Sequence, residues 1–162
     1  MDGKRKKQII QVHFYQIKHI FDVATILNQC GKDMADKYDL HHWDNPMLKS
    51  VLIVCMRLLK NKVFLVMEEK SPVATFQIRK EKDSLFFEKL AVSPTASEKG
   101  YGTYCMNLME KKAKSLGLKK MKMEVYDQST HAIIFYLHKG YIQVGTTGTL
   151  KYCDIIMEKE LK

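Results

Sequence analysis

Four groups of residues in this chain could do chemistry by type and spacing. SEKGYGT, Ser97 to Thr103, sets Gly100 and Gly102 one residue apart, between the apolar run SLFFEKLAVSP and a segment with helical spacing. Glu88 stands inside that apolar run, where a carboxylate is costly unless it meets a wet cleft or a partner. Desolvation there would raise its pKa toward the range of a general base, and Glu124 in KMEVY is a second candidate. Tyr136 shares a helical face with Ala132 and Ile133. LHHWDNP gathers His41, His42 and Trp43 into one polar, aromatic loop suited to stacking and hydrogen bonding with a substrate.

The paired glycines admit several readings. They could simply relieve strain at a tight strand-to-helix turn. A dinucleotide fingerprint needs a third glycine where Cys105 stands, and a phosphate loop of the G-K-[ST] kind fails because Lys99 precedes the glycines. The remaining reading is a diphosphate cradle for coenzyme A. Backbone N–H groups from Lys99 to Thr103 would line a concavity at the N-terminus of the following helix, where unsatisfied donors and the helix dipole attract an anion.

Elements must hold these groups in place. IIQVHFYQI (residues 9–17) reads as a first strand. A helix follows over about 18–37, with Ile20, Phe21, Ala24, Leu27, Asn28 and Met34 on one face. Asn45 and Pro46 open a second helix, with Leu48, Val51, Leu52, Cys55, Leu58 and Leu59 as its stripe. Three strands come next, over 62–69, 72–81 and the run from Ser84. A helix over about 103–116 closes at Gly117, then KKMKMEVY is a strand. A helix capped by Ser129 or Thr130 ends at Gly140, and two strands close the chain. The order β-α-α-β-β-β-α-β-α-β-β predicts an α+β fold with a mixed, mostly antiparallel sheet of six to seven strands and about four helices.

Composition narrows the class. The 162 residues suit one domain, 1–162, and 46% hydrophobic with 28% charged is ordinary for a globular protein. No apolar run approaches the roughly 18 residues of a membrane helix, so no membrane partner is expected. The N-terminus MDGKRKKQII has a basic start without an apolar stretch of signal-peptide length. Cys30, Cys55, Cys105 and Cys153 are widely spaced and read as reduced, mostly buried thiols, which together with the N-terminus predicts a cytoplasmic protein. His41 and His42 lack a third ligand at suitable spacing, so no metal is expected. The net charge of +9 attracts anions, and by itself would permit a nucleic-acid-associated protein. No aromatic–basic interleaving supports that reading.

Residues 84–141 resemble the GNAT superfamily of acyl-CoA-dependent N-acetyltransferases. LAVSP (Leu90 to Pro94) followed by SEKGYG (Ser97 to Gly102) is similar to the family's L-x-V-x-P and Q/R-x-x-G-x-G/A signature. MEVYDQSTHAIIFYLHKGY carries Ala132, Tyr136, Gly140 and Tyr141 in register with its later motif. Two positions depart: Ser97 replaces a Gln or Arg, and Ser129 replaces a turn Asn.

The resemblance implies transfer of an acetyl group from acetyl-CoA to a primary amine of a small molecule or protein, by direct attack through a tetrahedral intermediate. It implies cofactor contacts at Leu90, Ala91, Val92, Glu98, Lys99, Gly100, Tyr101, Gly102, Thr103 and Ser129. The amides of Leu90 to Val92 would polarise the thioester carbonyl. It further implies Tyr136 as proton donor to the leaving thiolate, beside Glu88 as base, with His41, His42 and Trp43 toward the acceptor. A non-catalytic acyl-CoA-binding module on the same fold is the alternative. A homodimer is compatible with either.

Overall fold

The computed structural model describes residues 5–162, so Lys4 of the basic KRKK start lies outside the described residues. The elements are β1 (Lys7–Val12), α1 (Ile17–Tyr38), α2 (Met47–Leu58), β2 (Lys62–Glu68), β3 (Ser71–Lys80), β4 (Ser84–Val92), α3 (Tyr101–Ser115), β5 (Lys120–Tyr126), α4 (Thr130–His138), β6 (Ile142–Gly148) and β7 (Cys153–Glu160). A short 3-10 turn, Pro94–Ala96, follows β4. The order is the one read from the sequence. The strands form a seven-stranded mixed sheet in the order β1-β2-β3-β4-β5-β7-β6, in which β4 and β5 are parallel.

Several local expectations need correction. The first strand begins earlier and stops at Val12, because His13 and Gln16 close a turn. In it the Gln16 N–H donates to the His13 carbonyl at 2.9 Å, and the His13 N–H donates to Gln16 Oε1 at 2.9 Å. Asn45 does not cap α2; Pro46 takes that place, and the Asn45 carbonyl instead accepts the Asn28 amide at 2.6 Å. The α2 stripe is also rotated from the expected one. Val51, Cys55 and Leu58 pack against the core as expected, but Leu48, Leu52 and Leu59 are exposed, and Ser50 and Val54 are buried. A helix apolar on almost every side offers periodicity no single face, and the small Ser50 is easily buried. On α1, Phe21 is exposed whereas Val23 and Ile26 are buried. Ser129 occupies the N-cap position of α4, but its hydroxyl makes no cap bond.

The chain divides into two compact units. The first comprises the described residues up to Ile78 together with Lys89–Met106. Its core joins Val12 of β1, Ile20, Val23, Ala24, Ile26 and Leu27 of α1, Val54 of α2, Val63, Leu65 and Met67 of β2, and Ala91 of β4. Burial of the valine, leucine, isoleucine and methionine side chains among these stabilises the fold by about 1.5–3 kcal/mol each, before conformational entropy is subtracted.

The second unit comprises Arg79–Glu88 and Asn107–Lys162. Along β5, buried Met121, Met123 and Val125 alternate with the more exposed Lys120, Lys122 and Glu124, as the period of two requires. Phe87, Tyr136 and Tyr141 form an aromatic trio with each pair of ring centroids 5.9 Å apart. Helix ends follow expectation: Gly117 (φ 69) and Gly140 (φ 87) take the left-handed conformation after α3 and α4. Among the described residues no helix is long and apolar enough to cross a membrane.

Candidate active site

The glycine loop belongs to the first unit. Ser93 is anchored by its N–H to the Val73 carbonyl at 2.8 Å, and the 3-10 turn carries the chain to Ser97. Glu98 (φ 61) and Gly100 (φ 80) then place left-handed residues on either side of Lys99. The Tyr104 N–H donates to the Gly100 carbonyl at 3.0 Å, beginning the α3 ladder. The amides of Tyr101, Gly102 and Thr103 precede that bond and belong to the helix end that its own turns leave unsatisfied. A Cβ built on Gly100 meets no atom within 4 Å.

Tyr101 opens α3. Its side chain is buried and its hydroxyl hydrogen-bonds Glu68, which also pairs with Arg5 at 3.5 Å. Burial, then the Glu68 hydrogen bond, pushes the phenol up to about 12. Lys7 lies over the Tyr101 ring at 4.9 Å and the Tyr104 ring at 4.6 Å, so part of the basic N-terminus is spent holding α3 in place.

Upstream, β4 changes character at Lys89. Its parallel register with β5 covers Ser84 to Phe87. Lys89 then adopts φ 53, which breaks the alternation of side chains. The alternation on which a shared face of Glu88, Leu90 and Val92 was expected is therefore interrupted at Lys89. The Val92 carbonyl accepts the Cys30 thiol of α1 at 3.0 Å, and burial pushes that thiol up to about 12, so it stays protonated. Cys105 is buried and likewise raised to about 12 by desolvation, whereas Cys153 is exposed, contrary to the expectation for it.

The His-His-Trp loop packs onto α1. Trp43 is half-buried against the core, and Lys89 Nζ sits 4.5 Å from its ring centroid. Leu27, Trp43, Asn45, Ser50, Ile53 and Lys89 line a small pocket there. His42 is half-buried with its ring 6.0 Å from that of Trp43. His41 is exposed, and its hydrogen bonds to Asp39 (2.8 Å) and then Asp44 raise its pKa. Among the described residues no three His, Cys, Asp or Glu could hold a metal ion.

Sequence reading missed Gly31. A Cβ on it would lie 2.1 Å from the Trp43 carbonyl oxygen, so only glycine lets this loop close on α1. The signal was an isolated glycine inside a helical pattern. Gly31→Ala is expected to cost about 1–3 kcal/mol, as overpacking against rigid backbone does. Urea unfolding measures this, and emission from Trp43, the single tryptophan, reports displacement of the loop.

The second unit holds the remaining candidates. Glu88 pairs with Arg79 at 3.6 Å. Arg79 also pairs with Glu81 at 3.1 Å and lies over the Phe86 ring at 3.7 Å. Glu124 has a raised pKa, through desolvation first and the charge of Asp154 second, opposed by Arg79 and reinforced by Glu88. Tyr136 is buried, and desolvation alone pushes its phenol far up. Ser129 is buried at the start of α4, where its carbonyl accepts the Ala132 and Ile133 amides at 3.0 Å.

This fold recurs among solved N-acetyltransferases. PaiA N-acetyltransferase from Thermoplasma acidophilum, in complex with coenzyme A, superposes with a TM-score of 0.77 at 16% identity, covering 96% of this chain and 99% of that one. The ribosomal-protein-S18-alanine N-acetyltransferase from Escherichia coli gives 0.72 at 13%, covering 97% and 95%. An aminoglycoside 6'-N-acetyltransferase complexed with coenzyme A gives 0.73 at 14%, covering 96% and 97%. No curated protein sequence matches the chain. The sequence profile of the Acetyltransferase (GNAT) family matches residues 22–141. The chain belongs to that family and is an acyltransferase.

Proposed function

We propose that this single domain, residues 1–162, is a cytoplasmic N-acetyltransferase that moves the acetyl group of acetyl-CoA to a primary amine of a small molecule or protein. The observation that carries the reading is the Glu98–Thr103 loop, with left-handed residues at 98 and 100 and open space where a Gly100 side chain would stand. Bound there, acetyl-CoA supplies the activated acyl group and a thiolate leaving group. Lys99 to Thr103 would bind its diphosphate through their amides, and Leu90 to Val92 would hold the pantetheine arm and the thioester carbonyl.

Attack by the amine leads through a tetrahedral intermediate, and the amine must shed a proton to attack. Glu124 suits that task better than Glu88. Its raised pKa makes it a stronger base than an ordinary carboxylate, whereas Glu88 is engaged by Arg79. Tyr136 stays protonated throughout the working pH range because its pKa is raised. A phenol less acidic than the departing thiol, whose pKa is about 8.5, acts first as a hydrogen-bond donor to the thiolate. Its role is thus to stabilise the leaving group. Tyr136→Phe keeps the ring that packs on Phe87 and Tyr141. It is expected to lower kcat by about 100-fold, the lower end of the range for loss of one preorganised donor. Its affinity for acetyl-CoA, read by calorimetry, should be unchanged.

The testing experiment is a thiol-release screen with acetyl-CoA against amino acids, polyamines, aminoglycosides and peptides with free N-termini. Turnover that saturates with one amine class supports the reading. Stabilisation by coenzyme A without turnover on any amine would replace it with the non-catalytic binding module.

A further inference from the structure

The small pocket lined by Leu27, Trp43, Asn45, Ser50, Ile53 and Lys89 lies wholly within the first unit. Its walls are fixed by close contacts. Gly31 lets the Trp43 backbone close on α1, and the Asn28 amide donates to the Asn45 carbonyl at 2.6 Å. Lys89 reaches the pocket from a left-handed backbone (φ 53), a conformation uncommon outside glycine and concentrated at functional sites. Its Nζ lies 4.5 Å from the Trp43 ring centroid. The empty volume is about 270 Å³ with the open mouth included, below the roughly 300–1,000 Å³ of a pocket that encloses a whole ligand. It therefore suits one end of a molecule.

The charge of the lining is one-sided. Among the described residues that form it, Lys89 is the only charged one. The carboxylates of the neighbouring loop, Asp39 and Asp44, pair with His41 at 2.8 Å and 3.6 Å, and neither lines the pocket. Asn45 and Ser50 add an amide and a hydroxyl, both able to donate hydrogen bonds, while Trp43 and Ile53 supply apolar wall. A cationic group would meet like charge here, and an anionic group would meet an ammonium with further donors. One ammonium balances the single charge of a carboxylate rather than the larger charge of a phosphate monoester.

We propose that this pocket anchors a carboxylate of the amine acceptor, with Lys89 as the residue that sets the specificity. The proposal rests on the acetyl-transfer reading above. Lys89 directly precedes Leu90, the first residue of the segment given to the pantetheine arm and thioester carbonyl, and consecutive Cα atoms are about 3.8 Å apart. An acceptor held at Lys89 is thereby brought to the strand where the acyl group would lie. An ammonium has three N–H donors, so Lys89 can bind a carboxylate without giving up its other contacts. A charge-assisted hydrogen bond is also stronger than a cation–π contact at a half-buried ring. The favoured acceptors are amino acids or peptides with a carboxylate near the reacting amine. Polyamines and aminoglycosides, cationic throughout, are disfavoured.

Matched pairs of acceptors test this in the full-length protein with coenzyme A present. One pair is glycine and glycinamide. The other is a C-terminally amidated peptide, free at its N-terminus, with glutamate or glutamine as second residue. Emission from Trp43, the single tryptophan, reports occupancy whether or not transfer occurs, and the thiol-release assay gives KM. The acid of at least one pair should saturate the emission change and show a KM about 10- to 100-fold below that of its amide, the worth of one hydrogen bond to a charged group. Which pair responds tells a free amino acid from a peptide. Lys89→Met should abolish the difference, Lys89→Arg should keep most of it, and Lys89→Glu should reverse it, whereas a merely structural lysine would shift both members of a pair alike. Equal affinities for acid and amide in both pairs, or a difference that survives Lys89→Met, would overturn the proposal. Should Lys89→Met fail to fold, the wild-type comparison decides by itself. An acid-selective emission change without turnover on any amine would sustain the carboxylate site while the acetyl-transfer reading falls. Turnover without acid preference would do the reverse.

Discussion

Replacing Gly100 with valine is expected to reduce coenzyme A affinity at least 100-fold in calorimetric titration while leaving the protein folded. The two halves of that result have different causes. Gly100 sits at φ 80, a region that β-branched residues almost never occupy, so valine strains the loop by about 1–2 kcal/mol. Its Cβ meets no protein atom within 4 Å, so the core is undisturbed and the stability loss stays near that strain. The side chain would instead fill the space over the amide donors, where a diphosphate must come close. Gly31 offers the contrast. There the added carbon strikes backbone, and the expected loss is of stability and loop position rather than of cofactor contact. Wild-type affinity in Gly100→Val would place the anion somewhere other than this loop.

Glu124→Gln carries the second large effect, a fall in kcat/KM of about 100- to 10,000-fold, the usual contribution of a general base. The pH dependence supplies the signature. A base works deprotonated, and the pKa of Glu124 is raised by desolvation, Asp154 and Glu88. Activity should therefore decline on the acid side at a pH above the ordinary carboxylate range. That limb should vanish in Glu124→Gln, because no carboxyl remains there to titrate. Glu88→Gln should be the milder variant, since Glu88 already has Arg79 as a partner at 3.6 Å. If Glu88→Gln instead proved the more damaging of the two, Glu88 would be the base and its pair with Arg79 would have to open during turnover.

What could be read from the sequence was what local chemistry decides. Turn residues and changes of hydrophobic period marked all the elements in order, because Gly117 and Gly140 end helices through their own backbone freedom. The glycine loop was legible for the same reason. The rotation of α2 was not, since Leu48, Leu52, Val54 and Leu58 are equally apolar and only tertiary contacts choose among them. The break at Lys89 was also hidden, because nothing in FFEKLAV announces a left-handed lysine. That break interrupts the alternation expected to join Glu88 with Leu90 and Val92. The partner of Glu88, Arg79, lies on another strand, and pairings of that kind depend on register rather than on spacing along the chain. Gly31 shows the same limit: its role appears only when Trp43 is placed against it.

The central claim is that main-chain amides between Lys99 and Thr103 grip the diphosphate of an acyl carrier. A crystal structure with coenzyme A tests it most directly. The account predicts diphosphate oxygens within hydrogen-bonding distance, about 2.7–3.2 Å, of several of those nitrogens. A carrier bound with its diphosphate on side chains elsewhere, and the space above Gly100 closed, would contradict it.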